Sequence, residues 1–147
     1  LNRSAGAARP SGRLIVHASA AGIGGAEASL LAELAGECAA SGRVPLILVP
    51  AEGSLAAEAR ARGWDARVAA WPRGMERLSQ NHWYALPLTL PGLIPYLFRL
   101  WAAFKGAETV RSSGFKSHCA CALMAPWLRS RLFFDIRDFI RPPAARK

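Results

Sequence analysis

Leu14-Ile15-Val16-His17-Ala18-Ser19, then Gly22-Ile23-Gly24-Gly25-Ala26-Glu27, then Leu30, Leu31 and Leu34: this stretch decides the fold. A short, mostly apolar run ahead of a glycine-rich turn suits a strand buried on both faces, as in a parallel sheet. The leucines that follow fall with Cys38 on one stripe of a helix, while Glu27, Glu33 and Glu37 fall mainly elsewhere. Gly42 is placed to end that helix in the left-handed conformation. Glycines after a first strand let the backbone approach a ligand closely, and the helix start offers free N–H groups and a positive dipole end. Gly22–Glu27 is thus a candidate turn for an anionic or phosphate-bearing ligand. The competing reading is a turn needed only for packing.

Outward from this unit, Val44–Val49 reads as a second buried strand. Ser54 is placed to cap a short helix, Glu58 and Arg62 are spaced for an i,i+4 pair, and Gly63 closes the helix. Residues 64–71 alternate as a third strand, with polar groups on one side indicating a sheet edge. Residues 72–82 form a polar loop. Residues 83–104 are strongly apolar, with Pro87, Pro91 and Pro95 ahead of a helix expected over Tyr96 to Phe104. Three prolines and Arg99 argue against a spanning helix. A fourth, weak strand over Thr109–Ser113, a helix from about Lys116 to Leu128 and a fifth strand over Leu132–Ile136 complete the pattern. Alternating strands and helices predict an α/β open sheet.

The 147 residues suit one domain, and a composition of 52% hydrophobic and 20% charged residues is that of a folded protein. The net charge of +9 divides into +3 on residues 1–13, +2 on 14–128 and +4 on 129–147. The excess therefore sits on the two ends and not on a basic face, which argues against a nucleic-acid partner. Residues 1–13 read as a flexible basic tail. Three cysteines (Cys38, Cys119, Cys121), with no paired metal-ligand spacing, predict no disulfide framework and no metal. They read as small buried hydrophobes in a reducing compartment. No secretory h-region follows Arg13.

Two oxidoreductase fingerprints fail on the same turn. A dinucleotide Gly-x-Gly-x-x-Gly needs glycine where Glu27 stands, and a short-chain dehydrogenase needs Thr-Gly where His17-Ala18 stand. The second strand, ending Leu48-Val49-Pro50-Ala51, also lacks the acid that would hold ribose hydroxyls. A nicotinamide enzyme and a non-catalytic binding domain remain the alternatives.

Four segments, in order, carry a more specific resemblance: Gly24-Gly25-Ala26-Glu27 after a strand; Glu52-Gly53-Ser54-Leu55 after Leu48-Val49-Pro50; Ser112-Ser113-Gly114-Phe115-Lys116-Ser117-His118; and Phe134-Asp135-Ile136-Arg137-Asp138-Phe139. Together they resemble the N-terminal, acceptor-side Rossmann-like domain of family 4 glycosyltransferases, over about residues 14–141. The resemblance implies one half of a GT-B fold, with a parallel sheet of order 3-2-1-4-5. The expected partners are a nucleotide-sugar donor and a glycan or lipid-linked acceptor, with retention at the anomeric carbon and no separate cofactor. Carried over by position, Gly24 and Gly25 approach the donor phosphates and sugar. Glu27, Ser113, Lys116, His118, Arg137 and Asp138 line the acceptor side of the cleft. Family histidines fall where Arg111 or Ser112, and Asp135, stand here, so no catalytic residue is assigned.

Residues 142–147 read as the start of a truncated continuation, and the chain is expected to be inactive alone. Aromatic and basic residues mixed through 83–105 point to contact with a membrane surface, at a cytoplasmic and peripheral location.

Overall fold

The computed structural model describes residues 12–75 and 86–136, and in it the first apolar run forms β1 (Arg13–Ala18). After it come α1 (Gly25–Ser41), β2 (Leu46–Val49), α2 (Ser54–Ala61), β3 (Asp65–Val68), α3 (Leu86–Phe104), β4 (Ala107–Ser113), α4 (Phe115–Met124), a 3-10 turn over Ala125–Trp127, and β5 (Arg131–Asp135). The five strands form one open sheet in the order β3-β2-β1-β4-β5, every neighbouring pair parallel. This is the expected α/β Rossmann-like sheet and strand order.

Side chains alternate across a strand, and the two resulting faces each build a core. Leu14, Val16, Ile47 and Val49 point to one side, where Leu30, Leu31 and Leu34 of α1 and Leu55, Ala56 and Ala59 of α2 cover them. Ile15, Leu46, Leu48 and Val110 point to the other, under Tyr96, Leu100 and Phe104 of α3 and Cys121 and Met124 of α4. Helices on both faces are what allow β1 and β2 to be apolar almost throughout. Gly42 (φ 67°) and Gly63 (φ 78°) end their helices in the left-handed region as expected.

Several boundaries differ from the sequence reading, each for a physical reason. β2 starts at Leu46 because Pro45 has no N–H for the ladder, and Val44 is 61% exposed. Ser54 is not a cap: it is the first residue of α2, behind Gly53, and its hydroxyl serves another loop. The fourth strand is longer than expected and central, not weak. Its polar side chains find partners across the sheet, so tertiary context overrides its poor strand propensity. α3 begins ten residues before Tyr96 and runs through Pro91 and Pro95. Each proline forfeits one bond to the carbonyl four residues back. Both lie on the exposed side of the helix, where water can serve the freed carbonyls. α4 gives way to the 3-10 turn at Ala125, the residue before Pro126, where the α conformation is disfavoured. No helix among the described residues is long and apolar enough to cross a membrane.

Candidate functional site

In an open parallel sheet ligands bind beyond the carboxyl ends of the strands, at the point where the chain reverses its direction of travel across the sheet. With order 3-2-1-4-5 that point lies between β1 and β4. Two loops meet there. One is Ser19–Gly24, leading into α1, and the other is the single residue Gly114, leading from β4 into α4.

The first loop is held from three sides. The Ser19 N–H and hydroxyl both donate to the Ser113 carbonyl, at 3.0 and 2.9 Å. The Ile23 N–H donates to the Ser54 hydroxyl at 3.0 Å, and the Leu55 N–H donates to the Ala21 carbonyl at 3.1 Å. Gly53 passes so close to the Ala21 carbonyl that a Cβ there would collide with it. At the start of α1, the Glu27 carboxylate accepts the Gly24 N–H at 3.0 Å. This is half of a capping box; Gly24 has no side chain to make the other half. The sequence reading put Glu27 on the acceptor side, and the structure gives its carboxylate to its own helix start.

The glycines divide sharply. Gly114 has φ 88° and ψ 153°, a region open almost only to glycine, and a Cβ there would run into the Ser19 hydroxyl. Gly25 is not among the positive-φ glycines, and a Cβ built on it meets nothing within 4 Å. Packing therefore requires glycine at 114 and not at 25. Gly114→Ala is expected to lower stability by about 2 kcal/mol, whereas Gly25→Ala should stay within about 0.5 kcal/mol of wild type or gain slightly. Urea unfolding of the two variants checks this, and equal losses would return Gly25 to a packing role.

Ser113 is buried on β4, and its carbonyl is the anchor for Ser19. Lys116 occupies the first turn of α4. His118, one turn into α4, has Nδ1 2.7 Å from the Ser112 hydroxyl and its ring edge-on to Phe134 at 5.6 Å. Ser112 is 1% exposed, so the pair orients an imidazole and does not present a nucleophile to a substrate. Arg137 and Asp138 lie outside the described residues.

Three features went unseen in the sequence. The first is Ser19, whose partner is 94 residues away. The second is Arg111, held by Glu33 at 2.7 Å, Glu37 at 3.1 Å and Asp135 at 3.6 Å, a clamp joining α1, β4 and β5. A basic residue inside a strand flanked by glutamates on an earlier helix was the available signal. The third is His17, fully buried, with Nε2 2.9 Å from the Tyr96 hydroxyl and the Trp71 and Phe104 rings around it. Burial lowers the His17 pKa to about 3 and pushes the Tyr96 hydroxyl up. It also pushes the Cys121 thiol up to about 12. Of the three cysteines Cys121 alone is buried. Cys38 is half-buried and Cys119 exposed, which corrects the expectation of three core hydrophobes.

Among the described residues no group of three or more His, Cys, Asp or Glu could hold a metal ion. Compared with family models, curated proteins and solved structures, the chain gives no match.

Proposed function

We propose that this chain is the acceptor-side domain of a family 4 glycosyltransferase. In this reading it works with a nucleotide-binding partner domain to move a sugar from a nucleotide-sugar to a glycan or lipid-linked acceptor. One observation carries the reading. The described parts of the four segments behind the resemblance, scattered over some 110 residues of sequence, meet at the carboxyl ends of the strands. Ser54 holds the loop before Gly24-Gly25, Ser113-Gly114 touches Ser19, and Asp135 pairs in register with Ser113. The open flank of Gly25 lies in that convergence, at the start of a 17-residue helix. The Gly24 N–H is already given to Glu27, so the N–H groups left for an anion are those of the helical turn after it. A phosphate or a sugar ring could approach the backbone of Gly24 and Gly25, with Lys116 and His118 in the first turns of α4, the helix that follows Gly114 on the other face of the sheet. Glu27 in place of a third glycine weighs against the nicotinamide alternative.

The test is an NMR titration of the 147-residue chain with a panel of nucleotide-sugars, run beside a transfer assay. One domain alone supplies only part of the donor contacts, so binding weaker than about 1 mM and no transfer are expected. The shifts should centre on Gly25, Ala26 and Lys116, and Gly25→Val should remove them with the fold intact. Micromolar donor binding or measurable transfer would place the donor site in this chain and overturn the acceptor-side reading. Shifts elsewhere would remove Gly25 from the site.

A further inference from the structure

α3 is apolar on two faces, which is one more than packing on the sheet uses. Leu93, Tyr96, Leu100 and Phe104 point inward and are buried. Ile94, Phe98 and Trp101 point outward, with Phe98 68% exposed. They line a groove of about 450 Å³ whose far wall is Met124 and Trp127, the latter 71% exposed. Trp127 belongs to the 3-10 turn after α4, outside the stretch that the sequence alone singled out, so the apolar surface spans two elements.

Among the described residues of α3, α4 and the turn after it, the charge beside this surface is basic. Lys105 Nζ lies 5.6 Å from the centre of the Trp101 ring. Arg99 follows Phe98, and Arg129 stands two residues beyond Trp127. From residue 86 to residue 134 the only acid is Glu108, and it faces Arg43 at 3.3 Å on another part of the molecule.

We propose that the α3–Trp127 face docks on an anionic lipid surface, with α3 lying in the plane of the interface. Exposed aromatic rings beside basic side chains match the two layers of such a surface, acyl chains below and phosphates above. A second copy of the chain fits worse. A two-fold interface sets a patch against itself and would bring Arg99, Lys105 and Arg129 toward their own copies with no acid between them. The inference rests on this surface and not on the transferase reading, so each can fail alone.

The experiment is co-sedimentation of the 147-residue chain with vesicles of phosphatidylcholine, with and without phosphatidylglycerol, at low and raised salt. Binding is expected only with phosphatidylglycerol, roughly a hundredfold stronger than to neutral vesicles if three basic residues engage, and weaker as salt rises. Phe98→Ser with Trp127→Ser should weaken it about tenfold or more. Both positions are largely exposed, so the far-ultraviolet circular dichroism should not change. Arg99→Glu with Lys105→Glu should reduce binding to the neutral-vesicle level and leaves the apolar face whole. Equal binding to neutral and anionic vesicles, or no binding to either, overturns the proposal. So does a self-association in ultracentrifugation that Phe98→Ser with Trp127→Ser abolishes.

Discussion

Unfolding free energy should fall by about 1.4 kcal/mol for each pH unit below 6.5, and His17 is the cause. Its imidazole is fully buried against Trp71, Tyr96 and Phe104, and burial holds its pKa near 3, against 6.5 for the unfolded chain. Above pH 6.5 both states carry a neutral imidazole, and stability does not depend on this group. Between pH 6.5 and about 3 the unfolded chain takes up a proton that the folded chain refuses, so stability is lost as pH falls. Across the whole window the loss approaches about 5 kcal/mol, a large share of a small domain's stability. The diagnostic range is pH 6.5 to 5, above the titration of ordinary carboxylates. His17→Gln stays neutral at every pH and is long enough to reach the Tyr96 hydroxyl, so its urea midpoint should be nearly flat there. Parallel losses in wild type and His17→Gln would remove His17 as the cause.

Arg111→Leu should cost about 3 kcal/mol, because it takes a guanidinium away from a largely covered carboxylate. The Arg111 and Asp135 side chains are each only 13% exposed, whereas Glu33 and Glu37 are open enough to turn to water. The penalty therefore falls mainly on Asp135 and on the joint between β4 and β5. Arg111→Lys should recover only part of it, since one ammonium cannot fork toward three carboxylates as a guanidinium does. Adding Asp135→Asn to Arg111→Leu should restore about half, by removing the charge that faced Arg111. If Arg111→Leu unfolds within about 0.5 kcal/mol of wild type, the clamp is ornamental.

The sheet was legible because β1 and β2 are apolar almost end to end, and Gly42 and Gly63 stand where helices must stop. β4 was underrated because Arg111, Ser112 and Ser113 read as poor strand residues until their partners on α1, α4 and the first loop are known. α3 was cut short because a proline inside a helix is tolerated only when its freed carbonyl faces water, which no local pattern records. At the site, Gly25 was legible as a glycine at a helix start, but its open flank is a three-dimensional fact. Ser19 and Ser54 carry no signature, since each acts on a segment distant in sequence. His17 hid inside an apolar run, where one polar residue looks incidental.

The bond from Ser19 to Ser113, 94 residues apart, also bears on the order in which the chain assembles. β1 meets β2 across a loop of about 30 residues but meets β4 across about three times that length. Closing the longer loop costs about 1 kcal/mol more in chain entropy. The early nucleus should therefore be β1, α1 and β2, with β4 arriving afterwards along the exposed side of β1. The proposed ligand edge is that late seam, so a chain released before β4 is complete would carry the glycine turn with nothing opposite it.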